Sequence, residues 1–556
     1  MDPEPAAATL PSAAPRTGLA DKRVAFSLDA VWLAIVAAFP FVVLNFSALP
    51  VDDGDLWWTL ALGRATWLAG ALPPSDPLAY TPTPQPYLYA QWLAGLVLYG
   101  TYRLGGYELL IVLRAAIVAG VFALLYLGCR RAGAVPALAG ICTILALPLV
   151  NPGLSLRPQI LALLPFALYL DGTRLPAPPG SGRARLRAWL PLVMVFWANV
   201  HGSFLFGLGL VGIALVGRAA ELARAGRPPV VPARSGTTLA AWSRAVPGRR
   251  TRLTELRLEP ELRSLLWLLT LSALAPLLNP YGLGFLAYLR DYLSVNPGHG
   301  ELGGMLTEWL PTRLDTPGGL AYFASLVVVG AAVLAAAWRS RRSPLSYGEA
   351  LRLLVFGALG LRWIRGIVWW GLVAPAPLAS ALQRGLGRPP DTAPLRRSPA
   401  NAVIVGLVGL VAVASLPWWR GDTDPTSGAI ERSPVVEAVD AILADPPAGR
   451  PFHYIAWGPY LAWRGGPETR LFVDGRYEAY EPAVFAEYTR LSQGEPGWET
   501  TLARYGVGYL LLSRVGQAGL VAAAERSPYW QQTFSSADVV VFRRAPSGQR
   551  EARSAS

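Results

Sequence analysis

The sequence has 556 residues, of which 53% are hydrophobic and only 15% are charged, and its formal net charge is +13. This composition excludes an ordinary soluble enzyme, because several uncharged runs are long enough to cross a hydrocarbon core of about 30 Å. The basic residues lie between the apolar runs, where they indicate the cytoplasmic side of a membrane. We therefore expect a polytopic α-helical membrane protein in contact with membrane lipids, with no nucleic-acid partner.

The N-terminal residues 1–28 are rich in Pro and Ala and are expected to form a disordered cytoplasmic segment. A transmembrane domain is predicted over 29–417, with an uncleaved first span at 31–49. Because basic residues precede this span and the loop after it is acidic, the N-terminus is predicted to lie inside and the loop outside.

The first outer loop, residues 51–106, is predicted to contain the active site. It begins with three closely spaced carboxylates, Asp52, Asp53 and Asp55. The Trp-rich segment that follows them has apolar residues at helical spacing, which predicts a helix lying at the membrane surface. The segment 91–104 is short for a span, so it is interpreted as a second surface helix, and the next crossing is predicted at 107–128.

The remaining apolar runs alternate with basic and non-basic loops, for a total of about eleven spans. They are predicted at 134–150, 160–170, 189–198, 204–216, 265–278 and 318–338, as a pair within 351–382, and at 403–416. The basic loop 217–264 is predicted to be cytoplasmic, and 279–316 to be a second outer loop.

Residues 421–556 change in character, and alternating helix-like and strand-like pieces predict an extracytoplasmic α/β domain. No GxGxxG or P-loop motif occurs there, so a nucleotide site is unsupported. Within FVDGRYEAY, Asp474, Arg476 and Glu478 are candidates for binding an acceptor. The alternative is a strand end followed by a Gly turn and salt bridges.

Polar residues beside the apolar runs all fall at the predicted outer ends. They are Asp52, Asp53, Asp55, Arg157, Gln159, Asn199, His201, Asn279, Glu308, Arg362 and Arg365. Ionisable groups at membrane depth are costly and tend to face a cavity, so one outward-facing cavity explains them together.

Clustered carboxylates, a His and Arg residues beside a membrane suit the transfer of a group from a lipid phosphate. A carboxylate can deprotonate an acceptor hydroxyl, and two carboxylates can hold Mg²⁺ or Mn²⁺ against the phosphate. Arg offers a planar fork to the same phosphate without a metal. Asp53 and Asp55 are the candidate catalytic residues and the candidate metal ligands.

The order of a first span, an acidic residue, a surface helix, a Pro-rich strip, a second apolar helix and a span ending in Arg-Arg resembles the first outer loop of the GT-C superfamily. These polyprenyl-phosphate-sugar glycosyltransferases include protein O-mannosyltransferases and aminoarabinose transferases. The motifs DxDxWWxLxLGRxxxxxGxxPxxDP, NVHGSF, LNPYG, EWLPT and FVDGRYEAY are similar to those of a large set of bacterial multi-spanning proteins usually grouped with these enzymes.

The resemblance implies an inverting transfer on the outer side of a bacterial inner membrane. The donor is then a polyprenyl-phosphate sugar, the acceptor is a glycan, a lipid or a protein, and the base is Asp55 or, failing that, Asp53. Two features depart from the family. Leu56 stands where a Glu usually follows the acid, and the Pro-rich strip 82–86 lacks the usual Glu-Lys-Pro.

Most of the other site residues have both a functional and a structural interpretation. Arg157, Arg362 and Arg365 are candidates for binding the donor phosphate. For Arg157 the alternative is anchoring at the interface, whereas Arg362 and Arg365 interrupt an apolar segment. Candidates for binding substrate are His201, Asn199, Glu308, Trp57 and Trp58. The alternative for His201 is a satisfied buried His, and for Glu308 it is a loop acid at the interface. For the pair Trp57 and Trp58 it is an aromatic belt at the interface. Asp55 itself could cap the following helix.

Two further functions stay open on the sequence alone. A lipid or sugar transporter is the first, although no pair of Gly/Pro-broken spans occurs at matching places in two halves. The second is a membrane assembly protein without catalytic activity, whose C-terminal domain would dock partners.

Overall fold

The computed structural model describes residues 26–83, 87–226, 230–232, 256–294, 307–341, 344–387, 391, 397–420 and 429–545. Several predictions fall outside these ranges. They concern most of the N-terminal segment 1–28, the end of the Pro-rich strip 82–86, and the middle parts of the loops 217–264 and 279–316.

The described N-terminal three quarters of the chain is almost entirely helical. Its helices are α1 Leu28–Asn45, α2 Gly54–Ala69, α3 Trp92–Arg131, α4 Pro136–Ile144, α5 Leu147–Val150, α6 Ile160–Gly172, α7 Gly182–Val200, α8 Phe204–Arg224, α9 Pro260–Leu274, α10 Leu283–Ser294, α11 Pro317–Ser340, α12 Tyr347–Arg362, α13 Gly366–Val373, α14 Pro375–Gly385 and α15 Pro399–Ala414. Short 3₁₀ turns cover Asn151–Gly153, Ala275–Leu278, Thr307–Trp309 and Pro417–Arg420.

Six helical segments of the described chain are long and apolar enough to cross a bilayer. They are Leu28–Asn45, Trp92–Arg131, Pro136–Gly153, Phe204–Arg224, Pro260–Leu278 and Pro317–Ser340. Each predicted span overlaps a helix, and the ambiguous segment 351–382 divides into α12 and the α13–α14 pair. The chain is a multi-pass membrane protein, as predicted, while the number of crossings stays a prediction.

The break predicted near residue 105 is present inside α3. Gly105 and Gly106 leave helical geometry, and Gly106 adopts φ 66° and ψ −159°, a conformation that only Gly enters without strain. The kink separates 92–104 from the long apolar helix that follows.

The prediction for α2 needs two corrections. This helix begins at Gly54 with Asp53 as its N-cap, so Asp55 lies inside the first turn and does not cap the helix. Most of α2 is buried against α3 and the C-terminal domain, because its apolar residues occur all round the helix. Only its C-terminal end exposes Trp67 and Leu68, so it packs within the protein more than on the membrane surface.

Among the described residues, two short antiparallel ladders occur outside the C-terminal domain. The first pairs β1 Phe26–Ser27 with β4 Arg397–Ser398, and the second pairs β2 Val230–Pro232 with β3 Leu256–Leu258. The first ladder joins the starts of α1 and α15, which then pack along each other.

The C-terminal domain is the predicted small α/β unit. Its elements are α16 Pro434–Ala444, β5 Arg450–His453, α17 Gly458–Gly465, a 3₁₀ turn Tyr477–Ala479, α18 Pro482–Ser492, α19 Trp498–Arg504, β6 Val507–Ser513, α20 Ala518–Arg526, β7 Trp530–Ser535 and β8 Val539–Arg544. The sheet order is β5-β6-β8-β7, with β5 and β6 parallel and the other pairs antiparallel.

One predicted strand, RLFVDGR, does not join this sheet. Leu471 forms a single parallel bridge with Ala79 of the first outer loop, donating to Leu78 O at 2.6 Å and accepting from Tyr80 N at 3.0 Å. The strand-like pattern arises because the segment is extended and buried, but its hydrogen bonds go to a partner far away in sequence. The C-terminal domain is thereby attached to the first outer loop.

A buried arginine reinforces this attachment. The Arg476 guanidinium contacts Asp474 Oδ2 at 2.6 Å and Asp76 Oδ2 of the outer loop at 3.0 Å, and it donates to Tyr87 Oη at 3.1 Å. Nearby, Trp457 Nε1 donates to Asp52 Oδ1 at 2.7 Å. Because a buried charge is stable only when it is paired, these contacts fix how the domain lies on the loop.

We expect Asp76→Ala to destabilise the junction by about 2 kcal/mol, because it removes a carboxylate from the buried Arg476. The melting temperature of the detergent-purified protein should fall, and a protease should cut the C-terminal domain faster. Asp315→Ala is the matched control, because Asp315 pairs with Arg313 on the exposed surface. Equal melting temperatures for the two variants would contradict this role of Asp76.

Candidate active site

Arg157 lies at the centre of three carboxylates from separate parts of the chain. Its Nε is 3.0 Å from Asp53 Oδ1, and its Nη1 is 3.5 Å from Asp55 Oδ2 and 2.8 Å from Glu308 Oε1. The second Glu308 oxygen forms an ion pair with Arg365. We call these five residues the charge cluster. It joins four loop regions that lie far apart in sequence.

Backbone contacts hold the members of the charge cluster in place. Asp53 and Asp55 stand at the start of α2, and Arg157 lies just before α6. The turn that carries Glu308 runs along the α12–α13 connection, where Arg365 N donates to Glu308 O at 3.2 Å and Ile364 N donates to Leu310 O at 3.0 Å. The Arg365 guanidinium also lies over the Trp309 ring, 5.3 Å from its centre.

The pKa shifts of two acids of the charge cluster, Asp53 and Glu308, go in opposite directions. Burial raises the pKa of the Asp53 carboxyl to about 6, and Arg157 offsets only part of this effect. Burial also acts to raise the pKa of Glu308, but the positive charges of Arg365 and Arg157 outweigh it, and the pKa lies below its usual value. Glu308 is therefore a carboxylate at neutral pH, whereas Asp53 gains a proton in mildly acidic solution.

Two adjoining cavities open beside the charge cluster. The smaller, of about 60 Å³, is lined by Asp55, Trp58 and Arg157, and by Gly475, Arg476 and Tyr477 of the C-terminal domain. The larger, of about 340 Å³, is mostly apolar. Four residues line both cavities: Gln91, Gln159, His201 and Arg365. The two spaces therefore share a polar wall.

The apolar walls of the larger cavity come from several helices. Phe206 of α8, Phe285 and Leu289 of α10, and Trp363 and Trp369 near α13 all line it. Such walls suit a hydrocarbon, while the shared polar residues suit a charged group. The pair of cavities therefore fits an amphiphile better than a fully polar ligand.

Asp55 is the carboxylate that faces the smaller cavity. Trp58 Nε1, one turn along α2, donates to its Oδ1 at 3.0 Å, and this contact orients the carboxylate. Asp53 does not line the cavity and is only 8% exposed. The geometry thus separates the two acids that the sequence left as alternatives.

His201 is a neutral hydrogen-bond donor at this site. Ser203 N donates to His201 Nδ1 at 3.1 Å, so Nδ1 acts as an acceptor and we assign the proton to Nε2. Burial lowers the pKa of the imidazole to about 3, and the positive charge of Arg365 acts in the same direction. The ring lines both cavities without carrying a charge.

Several predicted site residues lie away from the cavities. Trp57 is fully buried, donates to Pro50 O at 3.1 Å and packs on Tyr460. Asn199 Oδ1 accepts from Trp92 Nε1 at 2.8 Å and from Asn279 Nδ2 at 3.0 Å. Arg362 is exposed and lies over Trp363. These positions indicate packing roles for Trp57 and Asn199, and the structure gives Arg362 no place at either cavity.

Several residues of the cavity walls could not be predicted as site residues from the sequence. Gln91 was part of an apolar helix, and Trp309, Trp363 and Trp369 had no signal beyond their size. Tyr477 belongs to the motif FVDGRYEAY and lines the smaller cavity, and the side chain of its neighbour Glu478 lies outside the described part of the structure. These residues reach the site only through the packing of distant segments.

Comparison with known proteins identifies other proteins with a similar fold. No protein-family model and no curated protein matches the sequence. The archaeal oligosaccharyltransferase AglB from Archaeoglobus fulgidus, in complex with an inhibitory peptide and a dolichol-phosphate, matches with a TM-score of 0.51 and 13% identity, over 93% of this chain and 74% of that chain. The same protein tethered with an acceptor peptide matches with a TM-score of 0.51 and 12% identity, over the same shares of the two chains.

The chain has the GT-C fold. This confirms the predicted fold class. ArnT from Cupriavidus metallidurans, bound to undecaprenyl phosphate, matches 93% of this chain and 98% of its own with 15% identity, but its TM-score of 0.37 is too low to add to the assignment. At these identities the comparisons establish the fold alone. The reaction that the protein catalyses is inferred from the residues of the site.

The acids at this site do not present an arrangement that fits a divalent ion. Asp53 and Asp55, the predicted ligands of Mg²⁺ or Mn²⁺, both point at the Arg157 guanidinium, which occupies the place where their oxygens converge. Within the described residues, no group of three or more His, Cys, Asp or Glu side chains is placed to hold a metal. The positive charge at this point is supplied by Arg157.

We expect Asp53→Asn to change how stability depends on pH. The folded-state pKa of about 6 exceeds the ordinary value of 3.8, so the folded protein binds this proton more tightly than the unfolded chain does. The resulting stabilisation is full below about pH 4 and is lost as the pH rises through about 6. The melting temperature of Asp53→Asn relative to wild type should therefore rise between about pH 4 and pH 7, and a constant difference across this range would contradict the assignment.

Proposed function

We propose that this protein is a glycosyltransferase that moves a sugar from a polyprenyl-phosphate carrier to an acceptor on the side of the first outer loop. The observation that carries the proposal is the shared wall of the two cavities, which joins an apolar space to a carboxylate. The GT-C fold supports it, and AglB, which has this fold, was solved with a dolichol-phosphate.

The larger cavity suits the start of the carrier's hydrocarbon chain. Its walls are made by Phe206, Phe285 and Trp369, and burial of apolar surface supplies roughly 25 cal/mol per Å² of binding energy. The phosphate of the same molecule then lies at the polar wall between the cavities. This arrangement binds the amphiphile in one orientation, with its sugar towards Asp55.

The phosphate has two donors at this wall. Arg365 supplies a positive charge and a planar fork, which matches phosphate geometry. The His201 Nε2–H adds a neutral donor, whose hydrogen bond neither gains nor loses a proton at neutral pH. As the glycosidic bond breaks, negative charge grows on the phosphate, and these groups stabilise it.

Asp55 is the base in the proposed reaction. A nucleophilic oxygen of the acceptor attacks the anomeric carbon as Asp55 takes its proton, and the bond from that carbon to the phosphate oxygen breaks. The electron pair of this bond leaves with the polyprenyl phosphate, so the configuration at the sugar inverts. The hydrogen bond from Trp58 holds the carboxylate in position before the acceptor arrives.

Arg157, Asp53 and Glu308 position the reacting groups. Arg157 restrains Asp55 from one side, and Glu308 links Arg157 to the phosphate-binding Arg365. Because the guanidinium already compensates the acids, no step of this mechanism requires a metal ion. Asp53 anchors Arg157 from the buried side.

The acceptor enters between the outer loop and the C-terminal domain. Trp58, Arg476 and Tyr477 line that side of the smaller cavity, and they offer an aromatic face and donor groups to a glycan, lipid or protein acceptor. We place this side outside a bacterial cytoplasmic membrane, with the N-terminus inside and residues 421–556 outside. The charge distribution of the loops supports this orientation.

Asp55→Asn should lower the rate of sugar transfer by roughly 10² to 10⁴ while expression and membrane insertion stay normal, because the variant cannot accept the proton. The assay is transfer from a polyprenyl-phosphate sugar in proteoliposomes. Asp52→Asn is the matched control, since Asp52 has the same charge but contacts Trp457. Wild-type activity in Asp55→Asn would contradict the assignment of Asp55 as the base. Labelled substrate that crosses the membrane without transfer would favour a transporter.

Arg365→Ala should weaken binding of the carrier by at least roughly tenfold, because a charge-assisted bond to phosphate is lost. The measurement is binding of a polyprenyl phosphate without sugar, so that no reaction takes place. Arg362→Ala removes the same charge three residues away, on the exposed side, and should bind like wild type. Equal losses for both variants would contradict the assignment of the phosphate to Arg365.

A further inference from the structure

A third cavity lies at the opposite end of the helix bundle from the charge cluster. It has a volume of about 120 Å³, and its walls include Thr173, Ala214, Gly348 and Arg352. Helix α6 connects the two ends, because Gln159 before it lines the active-site cavities and Thr173 after it lines this one. The separation is roughly 20 Å, the length of this helix.

The cavity is strongly basic. Four guanidinium groups line it, those of Arg131, Arg174, Arg183 and Arg352. Arg131 forms an ion pair with Asp171 at 2.5 Å, but none of the other three has a carboxylate partner within the part of the chain that the structure describes. This leaves an excess of positive charge facing one small space.

The two acids in the wall form no ion pair with these four arginines among the described residues. Glu221 pairs with Arg218, which does not line the cavity, at 3.3 Å. Glu349 forms the capping box of α12, where it accepts from Ser346 N at 3.0 Å and receives the Ser346 hydroxyl at 2.9 Å. Both carboxylates are therefore engaged in contacts of their own elements.

Two further features indicate a site for an anion. Arg352 is only 4% exposed, and its Nε has no hydrogen-bond partner, although its Nη2 donates to Thr173 O at 2.7 Å. A buried guanidinium nitrogen without a partner is costly unless a ligand completes it. In addition, the Arg174 guanidinium packs against α3 at Gly128. A side chain at position 128 would collide with it, because a Cβ built on Gly128 meets the guanidinium.

We propose that this cavity binds a phosphate-bearing anion, either the headgroup of an anionic phospholipid or free phosphate. Phosphate oxygens accept bidentate hydrogen bonds from guanidinium groups, and basic pockets between membrane helices bind anionic headgroups. The site is separate from the catalytic cavities, so the proposal does not depend on the proposed transfer reaction.

The test measures the melting temperature of the full chain in detergent with added phosphatidylglycerol, phosphatidylcholine or inorganic phosphate, each at matched ionic strength. Phosphatidylglycerol should stabilise wild type, and Arg174→Gln should need roughly tenfold more of it for the same shift. Arg185→Gln is the matched control, because Arg185 is exposed on α7 and does not line the cavity. Stabilisation by inorganic phosphate with the same variant pattern would identify free phosphate as the ligand.

The Arg174 side chain makes no hydrogen bond or ion pair among the described residues, so its loss should not unfold the protein. If that variant does not fold, Arg183→Gln provides the same measurement. The proposal is overturned if no phosphate-bearing probe stabilises wild type, or if the cavity variants respond to the probes as Arg185→Gln does.

Discussion

The site is organised by the need to compensate a guanidinium group within a membrane protein. Arg157 is held between Asp53, Asp55 and Glu308, and Glu308 in turn holds Arg365. A charge in a medium of low polarity is stable only when opposite charges and hydrogen bonds surround it. Because these partners come from the first outer loop, the α12–α13 connection and the turn at residue 308, the charge cluster fixes how distant segments meet.

The C-terminal domain forms part of the site, because its residues line one side of the smaller cavity. Its RLFVDGR segment pairs with the outer loop, and Arg476 places its charge beside Trp58, 5.7 Å from the ring. The domain thereby closes one side of the smaller cavity. An acceptor has to pass this boundary, so the domain is well placed to select it.

The distribution of polar residues along the helices gives the bundle two charged ends. At the end that holds the charge cluster, acids and arginines form ion pairs with one another beside the cavities. At the other end arginines exceed acids, and the remaining acids are engaged elsewhere. The apolar middle of the helices separates the two ends, because unpaired charge there would be costly.

Much of the fold could be predicted because its signals are local. The break at Gly105 and Gly106, the division of 351–382 into two helical parts and the α/β character of the C-terminal segment all follow from hydropathy, spacing and turn residues. The RLFVDGR segment was harder, since an extended buried segment looks the same whether it joins a sheet or crosses to another loop.

The sequence by itself determined that the chain is a helical membrane protein and that its polar residues gather at the ends of apolar runs. Only the tertiary structure decided that Asp55 and not Asp53 faces the cavity, and that Arg365 and not Arg362 lines its wall. Hydrophobic periodicity locates a helix and its ends. Which side chain reaches a cavity depends on how each helix is rotated and on which distant loop packs against it, and no local pattern encodes that.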